Sequence, residues 1–179
     1  MAIRRFNGSL IFLHWLMFLL FVAALTGIEF REVVASGDPW RRTLRTTHIL
    51  SGQLIFIFAV LRVFVRLKFP VPPTPQVSRW MTLSALAVHG LLYVVMFAQP
   101  VLGVLSMQAG DKTVFFIDWT LPKLIASDPA VYFALKDVHK WIGNFFYLLV
   151  VMHALGALWH HFVLKDDTLR SMLTRPPKD

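Results

Sequence analysis

Four long apolar runs dominate this chain and leave few folds open to it. A bilayer core is about 30 Å thick, and a helix needs about 20 mostly apolar residues to cross it. Four segments meet that length: residues 10–30, 46–67, 81–107 and 138–163. Inside lipid every backbone N–H and C=O must find its partner within the chain, so runs of this length read as helices. The expected fold is all-α: an integral membrane four-helix bundle, one transmembrane domain over residues 1–179. Charged residues make up only 16% of the chain, against roughly 25% in soluble domains. The first run follows Arg4 and Arg5 and leads into Glu29, Phe30 and Arg31 with no small-x-small cleavage site. It therefore reads as a retained helix and not as a signal peptide.

The connectors are equally informative. Phe69, Pro70, Val71, Pro72, Pro73, Thr74 and Pro75 cannot continue a helix and read as a rigid extended link. Residues 108–137 contain Phe115, Phe116, Trp119, Leu121 and Pro122. They are expected to lie on the membrane surface with a short helix.

The net charge is +8, but the basic residues fall between the apolar runs and form no single patch. That pattern suits loops facing a charged membrane surface and argues against a nucleic-acid partner. With the N-terminus inside, the inner set is Arg4, Arg5, Arg62, Arg66, Lys68, Arg79, Lys165, Arg170, Arg175 and Lys178. The outer set is the smaller one: Arg31, Arg41, Arg42, Arg45, Lys112, Lys123, Lys136 and Lys140. Ten against eight of the 18 favours both termini on the cytoplasmic side. The chain has no cysteine, which excludes disulfides, iron–sulfur clusters and Cys-x-x-Cys-His haem attachment.

All seven histidines lie in or at the ends of the spans: His14, His48, His89, His139, His153, His160 and His161. Polar side chains in a bilayer are costly and mark functional sites. His139 and His153 are fourteen residues apart on the fourth span. At about 100° per residue they return to within about 40° of one face, separated by a rise of about 21 Å. One helix can thus offer ligands at two depths. His48 matches His139 in depth, at the outer side; His14 matches His153, at the inner side, where His89 competes with it. Zinc or copper sites gather three or four ligands in one place, whereas two ligands per level suit haem, whose porphyrin fills the other four positions. Two b-type haems are therefore expected, with His14, His48, His139 and His153 as candidate iron ligands and His89 as an alternative. Gly52 and Gly143, each four residues after a histidine, leave a side chain missing where a macrocycle could rest or where helices pack closely. His160 follows His153 by seven residues and returns to nearly the same face at the inner rim. It is placed to meet a quinone carbonyl or a haem propionate, or to snorkel. His161 points off that face.

The chain also resembles the bacterial cytochrome b561 family. The likeness rests on His14-Trp15, Glu29-Phe30-Arg31, the run from Arg62 to Pro70, Gln99-Pro100-Val101-Leu102-Gly103, His160-His161, Lys165-Asp166 and Thr168-Leu169. It covers essentially the whole chain, is similar to the di-haem, superoxide oxidase-like members, and implies a multi-pass protein of the bacterial cytoplasmic (inner) membrane. It implies two haem b groups, with His14 and His153 at the cytoplasmic-side haem and His48 and His139 at the other. It also implies a quinone near the cytoplasmic-side haem, with His160 as its contact, and electron flow from superoxide to ubiquinone. Two alternatives remain at this stage. One is an electron-relay subunit serving a partner dehydrogenase or hydrogenase. The other is a histidine-based metal transporter or sensor.

Overall fold

The computed structural model describes residues 6–69 and 77–173. Four helices carry the fold: α1 (Gly8–Val33), α2 (Trp40–Lys68), α3 (Arg79–Ala109) and α4 (Pro129–Trp159). Each is long and apolar enough to cross a membrane. They run to 26, 29, 31 and 31 residues, or about 39 to 47 Å, so their ends extend beyond the hydrocarbon core. Each start has a local cause. The Asn7 side chain accepts from the Ser9 amide, Asp38 from the Trp40 amide, and Ser78 from the Met81 amide.

The largest departure from the sequence reading is at α4, which begins at Pro129, nine residues before the expected start. Asp128 caps it by accepting from the Ala130 and Val131 amides, and Pro129 occupies the first turn, a strong start signal. Lys136, Asp137 and Lys140 interrupt the hydropathy but not the helix. Between α3 and α4 the expected short helix is replaced by a hairpin, β1 (Phe115–Phe116) pairing antiparallel with β2 (Trp119–Thr120). Two buried glutamines fix this loop. Gln53 of α2 donates to the Phe115 carbonyl, and Gln108 donates to the Pro122 carbonyl while accepting from the Leu124 amide. Phe69 ends α2 in extended conformation. The rest of the proline link lies outside the described residues, as do Arg4, Arg5, Arg175 and Lys178.

α1 packs along α2 and α3 along α4, and the two pairs meet chiefly through α2 and α3. Gly27 permits the first contact: a Cβ there would lie 2.8 Å from the Leu44 carbonyl oxygen. One buried cluster joins Met17, Ala24, Ile55, Ala59 and Met96; a second joins Val95, Phe146 and Leu149. Phe21 packs against both, its ring centre 4.6 Å from that of Phe146. Most other large apolar side chains point outward; Phe12 is 65% and Leu86 64% exposed. Such a surface is stable against lipid, where packing and not hydrophobic burial associates the helices.

Candidate functional site

The structure brings the histidines together in pairs. His48 on α2 and His139 on α4 have ring centres 6.0 Å apart with planes at 83°. His14 on α1 and His153 on α4 are also 6.0 Å apart, with planes at 62°. Two metal–nitrogen bonds of about 2 Å each, plus half of each imidazole, put coaxial ligand rings about 6 Å apart. His89 on α3 lies nearer His153, at 5.0 Å and 88°, which is short for ligands on opposite sides of one metal. It is exposed, and its Nδ1 bonds the Ala85 carbonyl of its own preceding turn.

The His48/His139 level is tightly held. His48 Nδ1 lies 2.8 Å from the Ala24 carbonyl oxygen of α1. His139 Nδ1 lies 3.1 Å from the Gln99 carbonyl oxygen of α3. A carbonyl can only accept, so each Nδ1 carries the proton and each Nε2 keeps its lone pair. This is the tautomer and orientation a metal-binding imidazole needs. The Gln99 side chain also donates to the His139 carbonyl at 2.9 Å, so one residue grips His139 twice. Pro100 supplies no N–H beside it and breaks the regular ladder of α3 there.

Three glycines complete the cradle. A Cβ at Gly103 would lie 3.4 Å from His139 Cε1, and one at Gly143 would lie 3.2 Å from Gln99 Nε2. Gly52, one turn from His48, would meet nothing within 4 Å. The two glycines that looked alike in sequence therefore differ. Gly143 admits the Gln99 side chain, whereas Gly52 faces open space one turn from His48.

The His14/His153 level is looser. Among the described residues neither ring has a hydrogen-bond partner. The Arg62 guanidinium donates to the Leu10 carbonyl at 2.9 Å and to the Tyr93 hydroxyl at 3.3 Å, joining α1, α2 and α3 beside this level. Trp15 Nε1 donates to the Met172 carbonyl and fastens the C-terminal segment to α1.

His160 opens a single π-helical turn, His160–Leu164, after which Lys165 takes a left-handed conformation. The chain turns back so that the Asp166 carboxylate accepts from His160 Nδ1 at 2.6 Å. The Thr168 hydroxyl lies 3.3 Å from the same nitrogen, and the Thr168 amide donates to the other carboxylate oxygen. Burial pushes the Asp166 carboxyl up, but hydrogen bonds from Thr168 and His160 outweigh it and hold the group below its ordinary range. His161 turns aside against Phe162.

Sequence reasoning missed the Ala24 and Gln99 carbonyls, Asp166 as partner of His160, and the 2.8 Å hydrogen bond from the Tyr147 hydroxyl to Glu29 linking α4 with α1. Gln99-Pro100 was a signal in its own right, a polar side chain and a helix breaker in mid-span.

Among the described residues, no three or more His, Cys, Asp or Glu gather as a metal cluster; the imidazoles come in facing pairs. Four apolar helices with imidazoles paired between them are the architecture of a membrane b-type cytochrome. A profile of prokaryotic cytochrome b561 matches residues 5–175. The chain is 27% identical over 176 residues to cytochrome b561 homolog 1 of Escherichia coli K12, covering 96% of this chain and 98% of that one. It is 31% identical over 168 residues to cytochrome b561 homolog 2 of the same strain, covering 93% and 89%. It is 28% identical over 174 residues to the probable superoxide oxidase CybB of Yersinia pestis, covering 96% and 97%. The chain belongs to the prokaryotic cytochrome b561 family, and its work is membrane electron transfer through haem b.

Proposed function

We propose that this protein is a di-haem relay that carries electrons across the bilayer from superoxide to ubiquinone. The reading rests on one observation: two histidine pairs, each 6.0 Å between ring centres, set apart along α4 by the fourteen-residue interval from His139 to His153. His48 with His139 would hold one haem b and His14 with His153 the other, leaving His89 as a neighbour of the second. Held by these imidazoles, haem b would supply one-electron chemistry at each level.

The chain's own residues do the rest. The Ala24 and Gln99 carbonyls fix the ligand tautomers and raise ligand basicity. Phe21 and Phe146 fill the space between the two levels and keep it dry. Lys136 and Lys140, at the outer end, would draw in an anionic donor and pair with propionates. Each superoxide gives up one electron and leaves as O2. Reduction of one quinone to quinol takes two electrons and two protons, hence two superoxides. His160 offers its Nε2 to a quinone carbonyl and passes it a proton. Asp166 steadies the ring through Nδ1 and balances its charge while it is protonated.

The prokaryotic family supports an inner-membrane protein, and the ten-to-eight basic asymmetry supports both termini cytoplasmic. The name of the Yersinia relative supports superoxide as donor.

The test exposes haem-loaded protein to a superoxide-generating system and follows the haem absorbance. Reduction should be abolished by superoxide dismutase and reversed by a soluble ubiquinone. Haems that stay oxidised in superoxide, but are reduced when a membrane dehydrogenase or hydrogenase is supplied, would make the chain a relay subunit instead.

A further inference from the structure

One cavity lies apart from the histidine pairs. It has a volume of about 410 Å³ and lies at the His48 end of the bundle, between α1, α2, the end of α3 and the hairpin. Arg31, Arg41, Arg42 and Arg45 line it, and no carboxylate does. Arg31 is paired with Glu32, and Arg41 donates to the Val34 carbonyl. Among the described residues Arg42 and Arg45 have neither an ion pair nor a side-chain hydrogen bond. The rest of the lining is mostly apolar: Ile49, Leu50, Met107, Phe115 and Ile117, with Thr46 and Thr113.

The pocket is built, not incidental. Gln53, one turn below Ile49 on the same face of α2, is 8% exposed and donates to the Phe115 carbonyl. It thereby holds the hairpin wall in place. At the hairpin tip Ile117 lines the pocket with φ at 55°, a conformation β-branched residues rarely take. The lining residues of α2 centre roughly 100° around the helix from His48, and no residue of α4 lines the cavity. The centre of the pocket therefore lies off the face on which His48 meets His139. Trp40 and Trp119 stand exposed at the same end, and exposed tryptophans mark the headgroup layer.

We propose that this pocket binds an anionic phospholipid, its phosphate held by Arg42 and Arg45 and an acyl chain laid along Leu50 and Met107. Guanidinium groups and apolar side chains lining one pocket at headgroup depth call for an amphiphile. A diatomic anion would leave most of the volume and the apolar lining unused. A zwitterionic headgroup would bring its ammonium against guanidinium groups with no lining carboxylate to receive it.

Native mass spectrometry of the full-length, haem-loaded protein tests this with phosphatidylglycerol and phosphatidylcholine in parallel. Wild type should retain phosphatidylglycerol about tenfold better, and Arg42→Gln with Arg45→Gln should erase that preference while leaving the haem spectrum unchanged. Should that double variant fail to fold, wild type is challenged with inorganic phosphate. Phosphate is expected to displace the lipid weakly and to give little thermal stabilisation alone. Equal retention of both lipids by wild type would overturn the proposal. So would stabilisation by inorganic phosphate equal to that by the lipid, which would make this a free-anion site. A folded double variant that keeps its lipid preference would also overturn it, and loss of its reduction by superoxide would then assign the arginines to steering.

Discussion

The two histidine levels share one spacing and differ in how they are held. At His48 and His139 both rings are pinned through Nδ1 to backbone carbonyls of neighbouring helices, and Gln99, Gly27 and Gly103 fix the surroundings. At His14 and His153 the rings have no such anchor among the described residues, and His89 stands 5.0 Å from His153. The rigid level suits fixed ligands. The looser one adjoins the C-terminal segment, where Trp15 binds Met172 and His160 binds Asp166. Electron entry asks only for a well-placed haem, whereas quinone chemistry also needs protons and room for a substrate. The asymmetry between the levels fits that division.

The sharpest way to break the comparison is to remove ligands. His48→Ala or His139→Ala should halve the haem content, from two per chain to one, read by a haemochrome assay. His14→Ala should lose the other haem, and His89→Ala should lose none. If His14→Ala kept its haem until His89 was also replaced, the looser level would be a His89/His153 site.

Packing around the rigid level comes next in size. A Cβ at position 27 would lie 2.8 Å from a backbone oxygen, and backbone cannot swing aside. Gly27→Val should destabilise the protein by about 1–3 kcal/mol, seen as a lower Tm, with the His48 haem released first. Gln99→Leu removes one hydrogen bond to the His139 carbonyl. It should cost about 1 kcal/mol and shift the potential of the His48/His139 haem alone in a redox titration.

The smallest effect belongs to Asp166. Asp166→Asn should slow quinone reduction several-fold, leaving haem content and haem reduction by superoxide intact. Folding lowers this carboxyl, so its hold on the C-terminal turn is present above the ordinary carboxylate value near pH 4. That hold is lost as pH falls through the lower folded value. Acid should therefore loosen the C-terminal segment in wild type and leave Asp166→Asn indifferent, as followed by proteolysis of that segment.

Much of this was legible in the chain alone, for identifiable reasons. Apolar run length reports the part of each helix inside hydrocarbon, so the four helices were plain. Their ends were not, because caps such as Asp128-Pro129 lie beyond the hydropathy signal. The fourteen-residue interval on α4 is pure helix geometry and was readable. Choosing between His14 and His89 was not, since periodicity gives depth on one helix but not which neighbour faces it. The grip of Gln99 on His139 depends on where a second helix's carbonyl falls. The Asp166 contact depends on a π turn and a left-handed lysine that no periodicity encodes.

The most direct test of the central claim is the haem count of the purified protein, taken with its reduced-minus-oxidised spectrum. The account predicts two low-spin b haems per chain that titrate as two components. One haem per chain, or a colourless protein holding zinc or copper, would contradict it.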